Sequence, residues 1–216
     1  MEKKRKTLVT VGVSLLAAFV LWTLLVRFVD LKPIGPNGST VGFATLNGFF
    51  HSLTGVHMWL YNLTDWLGLV PIGTAACFGV LGLVQWIRRK SIFAVDNNIF
   101  LLGAFYIIVI AVYALFEIVV INYRPILINQ CLEVSYPSST TMLVTCVMPT
   151  AIIQLWARIK NRYIKVASVV VISVFIAFMV IGRVVSGVHW ITDIIGGALF
   201  SIGLVSAYFG LFTYKK

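Results

Sequence analysis

Long apolar runs alternate with short polar segments along the whole chain. Six runs are long enough to cross a hydrocarbon core, which requires about 17–25 residues. These runs cover residues 7–29, 67–87, 98–121, 139–157, 164–182 and 190–213. A helix satisfies its backbone polar groups within one segment, so apolar runs of this length predict helices in lipid. We therefore expect residues 1–216 to form a single all-α integral membrane domain with six transmembrane helices.

The segments between the runs add further expectations. Residues 41–53 are too short to span and are expected to lie in the membrane interface. A continuous helix over 56–87 would be about 48 Å long at about 1.5 Å per residue, so it either protrudes outward or bends near Pro71. The first run follows MEKKRK, as in a signal peptide. It is too long for that role and lacks a clear cleavage site, so we expect it to remain as an anchor.

Composition and charge agree with a membrane protein. Apolar residues make up 60% of the chain and charged residues 11%, against about 45–50% and about 25% in soluble domains. The net charge of +10 arises from 17 basic and 7 acidic residues. In a soluble protein this excess would suggest nucleic acid. Here the basic residues cluster between apolar runs, so they indicate membrane topology, with the bilayer and no nucleic acid as partner.

The basic clusters predict the orientation. Thirteen basic residues fall on one side if the six runs alternate, in segments 3–6, 88–90, 158–165 and 215–216. The other side holds only Arg27, Lys32, Arg124 and Arg183. Short cytoplasmic segments carry the excess of lysine and arginine, so both termini are expected to be cytoplasmic. The segments expected to face outward are 30–66, 122–138 and 183–189.

Three polar stretches stand at span ends on the outer side. They are EIVVINYRP (117–125), YPSSTT (136–141) and GRVVSGVHWITD (182–193). In the last of these, His189 and Asp193 are four residues apart at a helix start and share a face. A carboxylate there can hold one ring nitrogen and leave the other free and nucleophilic. Arg183 supplies a planar fork of donors that suits phosphate oxygens.

The YPSSTT stretch predicts an anion site. Pro137 suits the first turn of a helix, where the amides of Ser138 and Ser139 would be unpaired. A helix N-terminus with free N–H groups binds anions, and Arg124 in the first stretch adds a second guanidinium. Two arginines, a helix N-terminus and a histidine–aspartate pair together indicate a site that handles phosphate.

In order and spacing, the three stretches resemble the type-2 phosphatidic acid phosphatase family, whose pattern is K-x6-RP, then PSGH, then SR-x5-H-x3-D. The resemblance covers the six-span layout and all three motifs. It implies that His189 is the nucleophile that forms a phosphohistidine and that Asp193 orients it. It also implies that no metal or other cofactor is needed. The phosphoryl group would be held by Arg124, Arg183 and the backbone of Ser138 and Ser139.

Three positions depart from the family pattern. Gly182 replaces the serine of the third motif, which is a mild change, Thr140 replaces the histidine of the second, and Glu117 replaces the lysine of the first. The histidine would protonate the leaving oxygen, a role worth about 10²–10⁴ in rate. An alkoxide, with a conjugate acid near the pKa of water at about 15.7, needs that proton. A phosphate leaving from a diphosphate, with a second pKa of about 6, needs it far less.

This leaving-group chemistry predicts a preference for a diphosphate, such as undecaprenyl diphosphate or another polyprenyl diphosphate. Glu117 has three interpretations: an ion pair with Arg124, a carboxylic acid kept neutral by burial that replaces the lost acid, or a contact to a cationic or hydroxylated head group. His51 and His57 flank the outer end of the second span. Each is either an interfacial residue or a substitute for the absent acid. Thr140 is a further auxiliary candidate, which would act with the help of another group.

The expected protein is a multi-pass lipid phosphatase of the bacterial plasma membrane, with its site facing outward. Its substrate would be a membrane lipid phosphate. Within the same class, a phosphatidylglycerophosphate or phosphatidate phosphatase is the alternative. Two other classes stay open: a non-hydrolytic relative that binds or moves phospholipids, and a phosphotransferase that passes phosphate to a lipid or sugar hydroxyl. The oligomeric state is open.

Overall fold

The computed structural model of the protein describes residues 2–212, which form eight α-helices joined by short connections. The helices are α1 (Glu2–Phe28), α2 (Ala44–Thr54), α3 (Met58–Leu67), α4 (Leu69–Arg89), α5 (Asn97–Ile118), α6 (Ser139–Arg158), α7 (Arg162–Val185) and α8 (Ile191–Leu211). Within these residues the extended backbone forms isolated bridges and no strand. The all-α prediction is confirmed.

Six helical segments are long and apolar enough to cross a membrane, which confirms the predicted number of spans. The segments are Glu2–Phe28, Met58–Arg89, Asn97–Ile118, Ser139–Arg158, Arg162–Val185 and Ile191–Leu211. The first begins before residue 7 because the charged N-terminal residues are also helical, with Lys6 and Glu2 paired at 2.8 Å across one turn. Residue 213, the end of the sixth predicted run, and the basic pair 215–216 lie outside the described residues.

The second span is interrupted at Gly68, which separates α3 from α4. The N–H of Gly68 donates to the carbonyls of Thr64 and Asp65, at 3.1 and 3.0 Å. Pro71 lies in the first turn of α4 and has no N–H to donate to the carbonyl of Leu67. The interruption thus lies three residues before Pro71, the position near which a bend was one of the two expectations, because the Leu67 carbonyl receives no hydrogen bond from Pro71.

Helix α2 is too short to span, as predicted for residues 41–53, and it is fixed to the start of α8 by a buried amide. The side chain of Asn47 donates to the Gly42 carbonyl at 2.7 Å and to the Thr192 hydroxyl at 3.0 Å. Its oxygen accepts from the Thr192 N–H at 3.3 Å. A buried amide with all these partners specifies one arrangement of α2 against α8.

Helix α8 forms the centre of the bundle and packs against α1 and α6. Glycines allow α1 to approach it closely, since a Cβ on Gly12 would lie 2.7 Å from both the Gly203 oxygen and the Ala207 nitrogen. Small residues at such crossings let helix backbones pack in lipid, where no hydrophobic effect drives association. Toward the other end of α1, Phe19 packs against Phe116, Tyr136 and Phe200, with ring centroids 5.4–6.4 Å apart.

The connections gather at two opposite ends of the bundle. At one end the Arg5 side chain donates to the Gly210 carbonyl at 2.9 Å, and Arg89 pairs with Asp96 at 3.0 Å. At the other end the N–H of His57 donates to the Ser186 carbonyl at 2.9 Å. The described basic clusters thus share one end, as the alternation of spans predicts. That this end is cytoplasmic remains a prediction.

The glycine contact between α1 and α8 predicts that Gly12→Ala lowers the stability of the purified protein by about 1–3 kcal/mol, the range for overpacking. The added methyl group would contact backbone atoms, which cannot move aside by a change of side-chain rotamer. Gly79→Ala is the matched control, because a Cβ there meets nothing within 4 Å. Thermal unfolding in detergent would measure both, and equal midpoints for the two variants would contradict this packing.

Candidate active site

His189 lies in the connection between α7 and α8 and is 6% exposed. Its Nδ1 atom is 3.0 Å from the Ser135 hydroxyl, and its Nε2 atom is 3.0 Å from Nη1 of Arg124. The same Ser135 hydroxyl donates to Oδ2 of Asp193 at 2.5 Å. Since Ser135 spends its proton on the carboxylate, its oxygen accepts from Nδ1–H, and Nε2 keeps its lone pair.

The carboxylate of Asp193 therefore orients the imidazole through Ser135. Its Oδ2 atom is 3.9 Å from Nδ1 of His189, too far for a hydrogen bond, so the direct contact expected from the four-residue spacing is replaced by a bridge. Oδ2 also accepts from the backbone N–H of Trp190 at 3.0 Å, which caps the start of α8. The backbone at the start of α8 thus positions the Asp193 carboxylate, which in turn positions the Ser135 hydroxyl.

Two guanidiniums stand beside the imidazole. Arg124 donates to His189 through Nη1, and its Nε is 3.0 Å from Oε2 of Glu133. The expected pair between Glu117 and Arg124 is thus replaced by a pair with Glu133. Arg183 is 1% exposed and donates through Nη2 to Asp65, at 2.8 Å, and to the Thr140 hydroxyl.

Several buried donors at this point have no hydrogen-bond partner within residues 2–212. They are Nε and Nη1 of Arg183 and the Ser138 hydroxyl. Nε of Arg124 also lacks a hydrogen bond, but it is ion-paired with Glu133. Buried polar groups are otherwise almost always hydrogen-bonded. Unpartnered guanidinium and hydroxyl donors are groups from which a phosphate oxygen can accept.

The environment keeps His189 neutral. Burial lowers the pKa of its imidazole well below the ordinary value, and the charges of Arg124 and Arg183 lower it further. A hydrogen bond to the backbone of Ser135 acts in the opposite direction and does not offset them. A neutral imidazole with an unprotonated Nε2 is the form that can act as a nucleophile.

The N-terminus of α6 differs in detail from its prediction. Ser138 is the residue before the helix, so Pro137 precedes the first turn. The amide of Ser138 is paired, because it donates to the Asp193 carbonyl at 3.2 Å, and the prediction that it is free was wrong. No side chain caps the first turn, which begins at Ser139. That the uncapped amides of this turn bind an anion stays a prediction.

A cavity of about 400 Å³ opens beside His189. Its lining includes polar groups, namely Glu117, Arg124, Glu133, Ser135 and Ser139, and apolar ones from α5 and α6, among them Tyr113, Phe116 and Met142. The cavity thus combines polar and charged groups next to the imidazole with apolar side chains from the ends of α5 and α6.

The predicted substitutes for the absent acid differ in whether they line this cavity. Glu117 lines it, whereas Thr140 and His57 are not among its described lining residues. The Thr140 hydroxyl accepts from Arg183, and His57 is exposed at the start of α3. The other histidine, His51, packs on the Trp190 ring at 5.5 Å, and burial lowers its pKa. Of the predicted substitutes for the absent acid, only Glu117 shares a cavity with His189.

The C-terminal half of the chain identifies its family. The PAP2 superfamily is matched over residues 100–216, which contain all three motifs. The chain belongs to the PAP2 superfamily. The resemblance predicted from the motifs is thereby confirmed. Residues 2–99, which supply α1 to α4, are outside the matched range.

A solved PAP2 structure shares the fold. The chain is similar to a transmembrane PAP2-type phosphatidylglycerolphosphate phosphatase from Bacillus subtilis, with a TM-score of 0.57 and 19% identity. The similarity covers 93% of this chain and 94% of that one, so it includes the helices outside the family match. None of the curated proteins compared with the sequence matches it.

Motif reading missed four residues that contact the PAP2 site. Ser135 and Glu133 precede the second motif in LEVSYP, and their sequence separation from His189 does not predict a contact with the site. Tyr61 and Asp65 belong to α3 and lie outside the three motifs. Asp65 carried the clearest signal, because a carboxylate within a span is expected to have a partner.

No metal-binding cluster accompanies the site in the part of the chain that the structure describes. Within residues 2–212, no group of three or more His, Cys, Asp and Glu side chains is arranged to hold a metal ion.

The hydrogen-bond bridge predicts that Ser135→Ala slows phosphoryl transfer by about 10–100-fold, the range for removing a partner that orients an imidazole in metal sites. Without the hydroxyl, Asp193 is too distant to fix the Nδ1–H tautomer. Ser201→Ala is the matched control, a buried serine that donates to the carbonyls of Met142 and Gly197 and is not among the described lining residues of the cavity. Rates of phosphate release from the folded variants would measure the effect, and equal rates would show that the bridge is dispensable.

Proposed function

We propose that the chain is a membrane lipid phosphatase in which His189 accepts the phosphoryl group and water then releases it. One arrangement carries the proposal: Nε2 of His189 lies 3.0 Å from Nη1 of Arg124 and feels the charge of Arg183, whose Nε and Nη1 donors have no hydrogen-bond partner within residues 2–212. Membership of the PAP2 superfamily supports the same chemistry. Phosphate transfer depends on such positioning and charge stabilisation.

The proposed reaction has two steps. In the first, Nε2 of His189 attacks phosphorus, an N–P bond forms, and the P–O bond to the leaving group breaks. Arg124 and Arg183, with the first-turn amides of α6, stabilise the charge that develops on the phosphoryl oxygens. In the second, water attacks phosphorus and the N–P bond breaks, which returns the neutral imidazole. Ser135 and Asp193 stabilise the positive ring of the intermediate.

The chemistry of the leaving group favours a diphosphate as substrate. Thr140 replaces the family's acid, and its hydroxyl accepts a hydrogen bond from Arg183. An aliphatic hydroxyl with a pKa near that of water is a poor acid. A phosphate with a second pKa of about 6 leaves without protonation, so a polyprenyl diphosphate, such as undecaprenyl diphosphate, is the proposed substrate.

A phosphomonoester is the second candidate, and the carboxylates of the cavity favour it. Glu117 and Glu133 both line the space next to His189, where the second phosphate of a diphosphate would lie. The negative charges of these carboxylates and of that phosphate would repel each other. Phosphatidylglycerophosphate or phosphatidate would avoid the repulsion, and Glu117 is the cavity carboxyl nearest in role to the missing acid. Its side chain is exposed, so the interpretation of a carboxyl kept neutral by burial is not supported.

We further propose that the protein resides in a bacterial plasma membrane with this site facing outward. The described basic clusters lie at the opposite end of the bundle from His189. Under the positive-inside rule that end is cytoplasmic. Both termini are then cytoplasmic as well, and the substrate is a lipid of the outer leaflet.

Release of inorganic phosphate by detergent-purified protein, without added metal, tests the function. The substrates are a polyprenyl diphosphate, its monophosphate, phosphatidate and phosphatidylglycerophosphate. We expect the diphosphate to react fastest, and His189→Gln to lower its rate by about 10³-fold or more, as when a covalent nucleophile is removed. His57→Gln is the matched control, because that histidine is exposed and away from the cavity.

Glu117→Gln separates the two substrate classes. If the carboxylate is the acid for a monoester, its loss lowers monoester hydrolysis by about 10²–10⁴-fold. If the diphosphate is the substrate, the variant keeps or gains activity because one negative charge is removed. Phosphate found on an acceptor lipid or sugar would identify a phosphotransferase. Lipid binding without phosphate release from any substrate would sink the hydrolase proposal in favour of a binding or transport role.

A further inference from the structure

Tyr61 on α3 contacts both guanidiniums of the site. The centroid of its ring is 4.8 Å from Cζ of Arg183 and 5.6 Å from Cζ of Arg124. Both distances are within the about 6 Å at which a cation is attracted to an aromatic face. Tyr61 lies outside the three motifs and outside the matched range of residues 100–216.

The next turn of the same helix holds Arg183 from a second direction. Asp65 is four residues after Tyr61, so the two side chains share a face of α3. Its Oδ1 atom accepts from Nη2 of Arg183 at 2.8 Å. The Nε and Nη1 donors of that guanidinium have no partner within residues 2–212. Asp65 thus fixes one nitrogen of Arg183 and leaves the other two for a ligand.

A glycine lets α3 come this close to α7. A Cβ on Gly182, the residue before Arg183, would lie 2.8 Å from Cγ2 of Thr64 and 3.6 Å from Cδ1 of Leu60. Thr64 cannot easily yield, because it is fully buried and its hydroxyl donates to the Leu60 carbonyl at 2.8 Å. The glycine that stands at the serine of the family pattern therefore has a physical role: it admits the helix that carries Tyr61.

We infer that Tyr61 is a positioning residue of the phosphate site, whose ring holds Arg124 and Arg183 together beside His189. Two guanidiniums repel each other, and one aromatic ring that both of them contact offsets part of that repulsion. Arginines fixed in advance can meet the phosphoryl charge without reorganisation. The inference rests on the proposed function in that it takes phosphate as the ligand of the arginines.

Binding of orthovanadate tests the inference without requiring turnover. We expect Tyr61→Leu to weaken vanadate binding about 5- to 30-fold, the loss that corresponds to a partly desolvated cation–π contact. Tyr61→Phe keeps the ring and should bind within about threefold of the wild type. Trp66→Leu is the control, because Trp66 is an aromatic residue of α3 that is 74% exposed. Calorimetric titration of the detergent-purified proteins gives the dissociation constants.

Gly182→Ala provides a second variant that leaves Tyr61 intact. Its Cβ would displace α3 from α7, so vanadate binding should weaken to a similar extent as in Tyr61→Leu. Gly79→Ala is the matched control, with open space around its Cβ. Where a lipid phosphate is hydrolysed, the steady-state constants add a further readout. KM and kcat should both worsen in Tyr61→Leu and recover in Tyr61→Phe.

The outcomes separate this inference from the proposed function. Vanadate binding that depends on the Tyr61 ring, in a protein that releases no phosphate, would support the inference and count against the hydrolase. Wild-type affinity in folded Tyr61→Leu or in Gly182→Ala would overturn the inference. A loss in Tyr61→Phe as large as that in Tyr61→Leu would overturn it too, since the hydroxyl would then be the active group. A wild type that does not bind vanadate would contradict both.

Discussion

The rest of the site depends on keeping one imidazole neutral, buried and correctly oriented between positive charges. Burial and the two arginines oppose protonation of His189, and the Ser135–Asp193 bridge fixes its proton on Nδ1. In the proposed mechanism, the same arginines that keep the ring neutral also hold the phosphoryl group. Nucleophile activation and phosphate binding would then share one arrangement of charge, so that a change in one alters the other.

The fold supplies this arrangement by bringing the starts of two helices to one point. Asp193 lies in the first turn of α8, and its backbone oxygen accepts from the amide of Ser138, which precedes α6. The close packing of α8 on α6 and α1 thus sets the distance between the imidazole and the uncapped end of α6. Helix α3 then closes the site on the side of Arg183. Glu117 and Tyr113 of α5 line the cavity beside His189.

Hydrophobic pattern and motif spacing were sufficient to predict the six spans and the meeting of Arg124, Arg183, His189 and the start of α6. Both follow from rules that act along the chain: span length in lipid and side chains projected from helix ends. The Ser135 bridge and the Glu133–Arg124 pair were not predictable, because they depend on how the connection 119–138 folds back over α8. The contribution of α3 was missed for a similar reason, since only its seating on Gly182 brings Tyr61 to the arginines.

The central claim is that Nε2 of His189 becomes covalently bonded to phosphorus during turnover. Its most direct test is a rapid alkaline quench of the enzyme during hydrolysis of its best substrate, followed by mass spectrometry of the intact protein and its peptides. The account predicts one phosphoryl group on His189, which is lost on acid treatment and absent from His189→Gln. Turnover with no covalent phosphate, or with phosphate on another residue, would contradict it.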